Sequence, residues 1–355
     1  MELPAPIVCL VDEATASPTP EAFLATLGEQ LLAIELPLAG GALTIAVPHP
    51  IIASRSWMWR AEGGAVIEAL GFAGTPPGQA ARNWLSPLGS LYEDRLAPGG
   101  DLRRDSLLAW AGTRPFDAGE ISSLNQIARF AAAPVATLAA KAALGALLEA
   151  YLGRRSAARV RGGDLKRGAG ETIRAALLYA DLRGFTQLSE ASEPAAVIAA
   201  LDAWFDRIAG SVHAFGGEVL KFIGDGVLAI FPVAGSPEAA CNAALRSIGA
   251  VRAGMARLDA DRQSQGLPAL PFGAALHLGE ILWGNIGAAD RLDFTAIGPA
   301  VNLVSRLEGM CRLLGRSVLI SGAFAAEISS PLVPLGEQAL RGIAQPCAVF
   351  TLPDA

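Results

Sequence analysis

The chain has 355 residues, enough for two ordinary domains, and 52% of them are apolar, more than a disordered protein carries. Its formal net charge is −6 and it has no run of Lys or Arg. A nucleic-acid surface needs clustered cations, so this composition argues against one. We therefore expect two folded domains and no nucleic-acid partner.

The most apolar stretch, residues 130–152, has to be tested as a membrane span. It contains Pro134, Lys141 and Glu149 and is rich in Ala, so it falls short of the uninterrupted run of about 20 apolar residues that a span needs. The N-terminus lacks the basic region, short apolar core and cleavage site of a signal peptide. We expect no membrane span and a cytoplasmic location.

Cysteine and histidine are too few and too scattered to form a metal or catalytic cluster. The four cysteines contain no CxxC pair, which argues against both a zinc site and a disulfide framework. The three histidines offer little to a Ser/His/Asp triad, and His277, within an apolar strand pattern, is expected in the core or at an interface. The cysteines are expected as buried thiols in a reducing cytoplasm, at Cys9, Cys241, Cys311 and Cys347.

The N-terminal part of the chain, residues 1–128, is rich in Pro and Gly. Short apolar runs between turn signals occupy residues 7–11, 42–47 and 65–72. This pattern favours a small α/β domain of the sensor type. From residue 121 to about residue 152 the chain is rich in Ala and Leu, which predicts a long helix. Such a helix can pair with its copy in a dimer or pack on its own N-terminal domain.

The segment that follows, residues 153–170, holds six Arg or Lys and five Gly, which is typical of a solvated linker. We therefore divide the chain into a sensor-like domain at 1–128, a connecting helix and linker at 129–170, and a second domain at 171–355.

The second domain begins with an apolar run, residues 173–180, that predicts a buried strand ending at Asp181. Helical periodicity follows from Pro194, and a hairpin is predicted around Gly224-Asp225-Gly226. The two strands of the hairpin are predicted at residues 218–223 and 227–231. Further helices are predicted at residues 237–258 and 300–313, and further strands at residues 272–278, 281–286 and 317–320. This order indicates an α+β sandwich with helices on one face.

Two carboxylates stand where a predicted strand stops, Asp181 and Asp225. If the first strand lies beside the hairpin, the two side chains meet at one sheet edge and repel each other unless a cation bridges them. Oxygen ligands of this kind suit Mg²⁺ or Mn²⁺ bound together with the phosphates of a nucleotide. Taken singly, an Asp in such a position is more often a turn residue or a helix cap.

The segments around these two residues resemble the metal-binding motifs of class III adenylate and guanylate cyclases, and further stretches match the same family in the same order. The matching segments are residues 179–186, 216–226, 276–280, 284–287 and 294–308. The resemblance covers about half of the chain. It implies a ferredoxin-like, palm-type cyclase catalytic domain, an α+β fold with an antiparallel sheet and helices, preceded by a smaller α/β domain that looks GAF-like.

The same resemblance implies an adenylate cyclase, a phosphorus–oxygen lyase that converts ATP to 3′,5′-cyclic AMP and pyrophosphate. Asp181 and Asp225 match the metal ligands of the family, with the Leu182 carbonyl as a further ligand, for two Mg²⁺ or Mn²⁺ ions in each active site. Asn302 and Arg306 match the Asn that orients the ribose and the Arg that meets the transition-state phosphate. They stand four residues apart on a predicted helix and so face the same way.

Substrate contacts are implied at Phe185 and Thr186, which follow the first Asp, and at Lys221 and Thr295, which align with the positions that read the purine. A Lys can donate to N1 of adenine and a Thr hydroxyl can accept from its 6-amino group. Guanylate cyclases of the family generally carry an acidic residue at the first position, so Lys221 argues for ATP over GTP. Some family members offer a phosphate-binding Lys near the C-terminus, where this chain has Arg341.

In this family one protomer supplies the metal ligands and the other supplies the purine pair, the Asn and the Arg. The resemblance therefore implies a homodimer with two composite sites, and a small-molecule effector at the N-terminal domain is a further hypothesis. Two rival functions stay open: a catalytically silent module that binds ATP, and a cyclase that uses GTP.

Overall fold

The structure is a computed structural model and describes residues 4–13, 19–96 and 106–353. The chain divides into two compact units, Met1–Tyr151 and Leu152–Ala355. The division falls at the end of the predicted long helix, beside the segment in which we placed the boundary.

The described residues of the N-terminal unit form five strands. They are β1 (Leu38–Ala46), β2 (Ile52–Arg60), β3 (Val66–Phe72), β4 (Ser90–Leu96) and β5 (Ser106–Gly112). Their order in the sheet is β3-β2-β1-β5-β4. All four pairings are antiparallel, so this unit is α+β, whereas we predicted α/β.

Four α-helices accompany this sheet among the described residues. They are α1 (Ala5–Val8), which continues into a π-helical turn (Cys9–Glu13), α2 (Pro20–Ala33), α3 (Gln79–Leu85), followed by a 3-10 turn (Ser86–Leu88), and α4 (Ala118–Leu152). The apolar run at 7–11 is therefore helical, and its residues Ile7, Cys9 and Leu10 are buried. The runs at 42–47 and 65–72 lie in or at the ends of β1 and β3.

Helix α4 confirms the long helix predicted up to residue 152, and it begins slightly earlier. Its first half packs into the core of the N-terminal unit with α2 and the sheet, through Leu124, Ile127, Ala131, Val135 and Leu138. Within the described ranges it is the one helix long and apolar enough to cross a membrane. A core helix of a globular domain meets the same length and hydropathy criteria.

In the C-terminal unit, the residues that the structure describes form eight strands in one sheet. They are β6 (Gly170–Leu182), β7 (Glu218–Ile223), β8 (Gly226–Pro232), β9 (Phe272–Gly287), β10 (Leu292–Ile297), β11 (Val318–Ser321), β12 (Val333–Gln338) and β13 (Cys347–Thr351). The order is β12-β13-β11-β9-β6-β8-β7, and β10 pairs with β9. The sheet is antiparallel except for the parallel pair β11 and β9.

The helices of this unit are α5 (Arg154–Arg161), α6 (Phe185–Ala191), α7 (Pro194–Ala214), α8 (Pro237–Ser264), α9 (Pro299–Gly309) and α10 (Gly322–Ala325). On β6, Ala176 and Leu178 pack with α7 and α8, while Ala175 and Leu177 pack on the opposite face with α9. Helices therefore cover both faces, and the predicted single helical face is wrong. Successive side chains of β6 point to opposite faces of the sheet, so this one apolar strand contributes to both cores.

Two further predictions differ from the structure. The segment 153–170, expected as a solvated linker, contains α5, whose Ser156 and Ala157 are buried. The two strands predicted at 272–278 and 281–286 are one strand, β9, because its pairing with β6 continues through Gly279 and Glu280 without a break. The hairpin of β7 and β8 and the helices near 194, 237 and 300 are where the sequence predicted them.

Candidate active site

The strand pairing brings Asp181 and Asp225 together at one end of the sheet. Ala180 pairs with Val227, so the last residues of β6 lie beside the turn between β7 and β8 that carries Asp225. Burial raises the pKa of the Asp181 carboxyl well above its usual range, and a hydrogen bond with Asp225 together with its negative charge raises the pKa further. The two acids share one partly buried place, as predicted.

This pair has the donor chemistry of a divalent-cation site. Asp181 Oδ1 is buried and has no hydrogen-bond partner among the residues that the structure describes. A buried carboxylate oxygen without a partner is costly unless a cation or proton compensates it. Within the same residues, no group of three His, Cys, Asp or Glu side chains could hold a metal. Two carboxylates with backbone and substrate oxygens fit Mg²⁺ or Mn²⁺, whose sites often use substrate phosphates.

A buried tryptophan supports the turn that carries Asp225. The indole Nε1–H of Trp204, on α7, donates to the backbone carbonyl of Asp225 at 2.9 Å. The same ring packs on Phe272 with 5.3 Å between centroids and is fully buried. Trp204 therefore fixes the turn from the core side. In the sequence, Trp204 is one of the apolar residues in the helical pattern that follows Pro194, and nothing in that pattern distinguishes it.

Lys221 lies beside the strand that carries Thr295. The Lys221 ammonium forms an ion pair with Asp293 on β10, and both side chains are partly exposed. Asp293 and Thr295 are two residues apart on one strand, so their side chains point to the same face. Thr295 is buried, with 8% exposure. We did not include Asp293 among the site residues, although its spacing from Thr295 could have indicated it.

Asn302 and Arg306 lie on the exposed face of α9, four residues apart. The opposite face of the helix, with Val304 and Leu307, is buried in the core. In the part of the chain that the structure describes, the Arg306 guanidinium makes no hydrogen bond or ion pair. Among the described residues, no hydrogen bond or ion pair joins Asn302 or Arg306 to Asp181 or Asp225.

Phe185 and Thr186 are the first two residues of α6, directly after Gly184, whose φ of 74° lies in the left-handed region. The Phe185 side chain packs against the core, and Thr186 is exposed. Arg341 is exposed between β12 and β13 and makes no ion pair with any residue in the described ranges.

A further carboxylate near the acidic pair, Glu308 on α9, was missed by the sequence analysis. A Cβ at Gly273, the residue paired with Asp181, would collide with Glu308 Oε1. The negative charge of Glu308 contributes to the raised pKa of Asp181, and burial raises the pKa of Glu308 itself. Glu308 lies on the same helix as Asn302 and Arg306 but on the side that faces the sheet. This position could have indicated a role different from that of Asn302 and Arg306.

Comparisons with known proteins identify the domain in which these residues lie. Residues 169–327 match the family model of the adenylate and guanylate cyclase catalytic domain. An adenylate cyclase of Anabaena cylindrica is 31% identical over 172 residues, which are 47% of this chain and 33% of that protein. Adenylate cyclase 1 of Rhizobium meliloti is 36% identical over 171 residues, 46% of this chain and 25% of that protein. The chain therefore aligns with a third or less of the length of these two relatives.

A solved structure of a bacterial light-regulated adenylyl cyclase matches 88% of this chain and 93% of its own, with a TM-score of 0.55. Its sequence identity is 17%, so this likeness concerns the fold alone. Residues 169–327 therefore form a catalytic domain of the class III adenylate and guanylate cyclase family.

Proposed function

We propose that this protein is an adenylate cyclase that forms 3′,5′-cyclic AMP and pyrophosphate from ATP at two composite sites of a homodimer. The observation that carries the proposal is the meeting of Asp181 and Asp225 at the end of β6, with a buried Asp181 oxygen that has no partner among the described residues. Such a pair is costly to a protein that does not use it, because each carboxylate disfavours the charge of the other.

In the proposed reaction the ribose 3′-oxygen forms a bond to the α-phosphorus while the bond from that phosphorus to the bridging oxygen of the β-phosphate breaks. The hydroxyl proton leaves to solvent and pyrophosphate departs. Two Mg²⁺ or Mn²⁺ ions, held by Asp181, Asp225 and the Leu182 carbonyl, would lower the pKa of the 3′-hydroxyl and stabilise the leaving charge.

Asn302 and Arg306 are proposed to act on the substrate held by the acidic pair of the other protomer. Their exposure on α9, and the lack of an ion-pair partner for Arg306 in the described part of its own chain, support this role. A guanidinium presents several N–H donors to a phosphate and strengthens its contacts as negative charge develops. The Asn amide can hold the ribose in the orientation that the attack requires.

The first turn of α6 is proposed to contact the substrate phosphates. The first N–H groups of a helix have no partner within the helix, and such groups suit phosphate oxygens. The Phe185 side chain is partly buried against the core, so the group proposed to contribute at this position is its backbone N–H.

The proposed choice of ATP over GTP rests on Lys221 and Thr295. The ion pair with Asp293 holds the Lys221 ammonium beside β10, where Thr295 lies, and this supports a joint purine site. We expect Lys221→Ala to lower kcat/KM for ATP roughly tenfold to a hundredfold, since one charged hydrogen bond to the substrate is lost. The ratio of the rates with GTP and ATP should rise in the same variant.

We also propose that the N-terminal unit is a GAF-like sensor for a small-molecule effector and that the protein acts in the cytoplasm. The separate core of this unit, formed by α2, α4 and the antiparallel sheet, supports an independent binding domain. Cyclase activity of the full-length chain should then respond to cell metabolites, whereas that of residues 152–355 should not. Identical responses of both proteins would contradict the sensor.

The decisive experiment is product analysis with the purified full-length chain, ATP or GTP, and Mg²⁺ or Mn²⁺, beside the Asp225→Asn variant. Cyclic AMP from ATP that disappears in the variant is the expected result. A cyclic product from GTP alone would replace the proposal with a guanylate cyclase. ATP binding without any product would favour the silent module.

A further inference from the structure

Helix α5 contacts two strands that are not hydrogen-bonded to each other. In the described part of the chain, β7 lies at one edge of the sheet and pairs with β8, while β10 pairs with β9. The strands β8, β6 and β9 separate them along the sheet. The hydrogen bonds of the sheet therefore do not directly fix the distance between Lys221 on β7 and Thr295 on β10, the two residues proposed to bind one purine.

The first turn of α5 is attached to β7. Ser156 is fully buried, and its backbone N–H and its hydroxyl both donate to the Glu218 carboxylate. Glu218 is itself buried and is the first residue of β7, three residues before Lys221. Moving this carboxylate away from α5 would leave buried polar groups without partners, which is costly. The contact therefore holds the start of β7 at a fixed place on the helix.

The last turn of α5 is attached to the hairpin of β9 and β10 through Arg159. The central carbon of its guanidinium lies 5.3 Å from the centroid of the Trp283 ring and 5.6 Å from that of the Phe294 ring. The two rings meet edge to face, with 5.5 Å between their centroids. A guanidinium over aromatic rings is attracted by both of them, and more strongly where water is largely excluded. Phe294 directly precedes Thr295, so the position of this ring affects the position of Thr295.

Two carboxylates keep the Arg159 guanidinium over the rings. Asp164 accepts hydrogen bonds from Nε and Nη2 of Arg159 at 3.0 and 2.7 Å, and Glu171 on β6 forms an ion pair with Nη1 at 2.6 Å. The turn that carries Asp164 is in turn attached to β9, because the buried Asn285 donates its side-chain amide to the Asp164 carbonyl. Arg159 therefore cannot leave the hairpin without losing several contacts at once.

Ser156 and Arg159 are three residues apart, so they lie on the same side of α5. One side of a short helix thus contacts both strands of the purine pair. We call this set of contacts the α5 bridge; its members are Ser156, Arg159, Glu218 and Phe294.

We propose that the α5 bridge sets the distance between Lys221 and Thr295, and that Arg159 is thereby a positioning residue for purine binding. The proposal rests on the proposed function in one respect, namely that Lys221 and Thr295 contact the purine of the substrate.

A second connection between the two strands is the ion pair of Lys221 with Asp293. Both of its side chains are partly exposed, and exposed ion pairs contribute little to stability. The α5 bridge is buried at Ser156 and Glu218 and largely shielded at Arg159. A displacement of about 1 Å between two groups that hold one rigid ring weakens the contact with at least one of them. The buried connection is therefore the one expected to decide the spacing.

The direct test is steady-state kinetics of full-length Arg159→Ala with ATP and with GTP. The KM for ATP should rise about tenfold while kcat stays close to the wild-type value, because purine contacts stabilise the bound substrate and the transition state alike. The preference for ATP over GTP, as the ratio of the kcat/KM values, should fall in the same variant. Glu218→Ala releases the other strand and should produce the same change.

Thr351→Val is the matched control for a loss of stability alone. The buried Thr351, on β13 near the other edge of the sheet, donates its hydroxyl to the Val318 carbonyl at 2.8 Å. Its replacement destabilises the same unit without altering α5, β7 or β10. Circular dichroism at the assay temperature checks that the variants are folded. If Arg159→Ala and Thr351→Val have the same KM for ATP, the bridge serves stability alone and the proposal is overturned.

The double variant tests whether the bridge acts as one unit. Loss of either end already frees the two strands from each other, so Arg159→Ala combined with Glu218→Ala should raise the KM for ATP no further than the more affected single variant. If the two single effects multiply to about a hundredfold, the two ends act independently and the proposal is overturned.

Binding of 3′-deoxy-ATP, which lacks the attacking hydroxyl, separates the bridge from the catalytic proposal. If the wild type forms no cyclic nucleotide, and Arg159→Ala still binds 3′-deoxy-ATP about tenfold more weakly in calorimetry, the bridge stands and the proposed activity fails. If the wild type forms cyclic AMP, and Arg159→Ala binds this analogue as tightly as Thr351→Val does, the activity stands and the bridge fails.

Discussion

Glu218 holds the start of α5 through Ser156. The Glu218 carboxylate, almost fully buried, accepts hydrogen bonds from the Ser156 backbone N–H at 3.1 Å, from the Ser156 hydroxyl at 3.0 Å and from the Arg155 backbone N–H at 3.2 Å. It thus satisfies N–H groups that have no partner within the helix and complements the positive end of the helix. Because Glu218 begins β7, this contact attaches α5 to the strand that carries Lys221.

We expect Glu218→Ala to destabilise the C-terminal unit by about 1–3 kcal/mol, since it leaves buried N–H groups without acceptors. Urea unfolding of residues 152–355, followed by tryptophan fluorescence, measures the change. Glu190→Ala is the matched control, because Glu190 is exposed and forms no ion pair within the described ranges. Equal effects of the two substitutions would show that the Glu218 contacts contribute nothing.

Gly153, directly before α5, is expected to tolerate no side chain. Its φ of 80° lies in the left-handed region, and a Cβ there would stand 2.9 Å from Glu218 Oε1. Gly153→Ala should destabilise the unit by about 1–2 kcal/mol. Gly163→Ala separates the cost of the backbone conformation from the cost of the contact with Glu218. Gly163 also has a positive φ, of 97°, but no atom lies close to the position of its Cβ. If urea unfolding shows the same loss of stability in both variants, the contact between the new Cβ and Glu218 does not destabilise Gly153→Ala.

Trp204 is expected to position Asp225 for metal binding. Trp204→Phe removes the hydrogen bond to the Asp225 carbonyl and keeps an aromatic ring against Phe272. The Mn²⁺ concentration that gives half-maximal cyclase rate should rise about tenfold, as is typical when a group that orients a metal ligand is lost. Trp283→Phe is the matched control, because the buried Trp283 Nε1 has no hydrogen-bond partner among the described residues. An unchanged Mn²⁺ dependence in Trp204→Phe would show that the bond serves packing alone.

The structure of the C-terminal unit was more predictable from the sequence than that of the N-terminal unit, for a physical reason. Around Asp225, the turn residues Gly224 and Gly226 and the flanking apolar runs all indicate one local structure, a hairpin. Around Ile7, a run of five apolar residues fits a strand or a buried helix equally well, and only packing decides between them.

The contacts that support the site could not be predicted, because they join residues distant in sequence. Trp204 and Asp225, or Ser156 and Glu218, are neighbours only after the sheet and helices have packed. The basic composition of residues 153–170 indicated a solvated segment without contacts, although two residues of α5 within it are buried. The second helical layer was missed in the same way, because a continuous apolar strand does not show which helix covers which face.

His277 provides a prediction on pH. It lies in the middle of β9, has 7% exposure, and shares a hydrogen bond with the Ser321 hydroxyl at 2.8 Å between Nδ1 and Oγ. Burial lowers the pKa of His277 from 6.5 to about 4. Between these two values the unfolded chain binds a proton that the folded chain does not, so the free energy of unfolding rises with pH across this window.

For this one group the expected loss is about 3 kcal/mol when the pH falls from 7 to 4, at 1.36 kcal/mol for each unit of pKa. Urea unfolding of residues 152–355 at a series of pH values measures it, with His277→Gln as the variant, since Gln keeps a polar group near Ser321. The pKa of Asp181 is raised in the folded state, so its contribution to the free energy of unfolding changes with pH in the opposite direction. Asp181 is present in both the wild type and the variant. The difference between the two curves therefore isolates His277. The stability of the wild type relative to the variant should fall as the pH drops below 6.5, since only the wild type has to keep a buried imidazole neutral. Parallel curves would mean that the pKa of His277 is the same in the folded and unfolded chains.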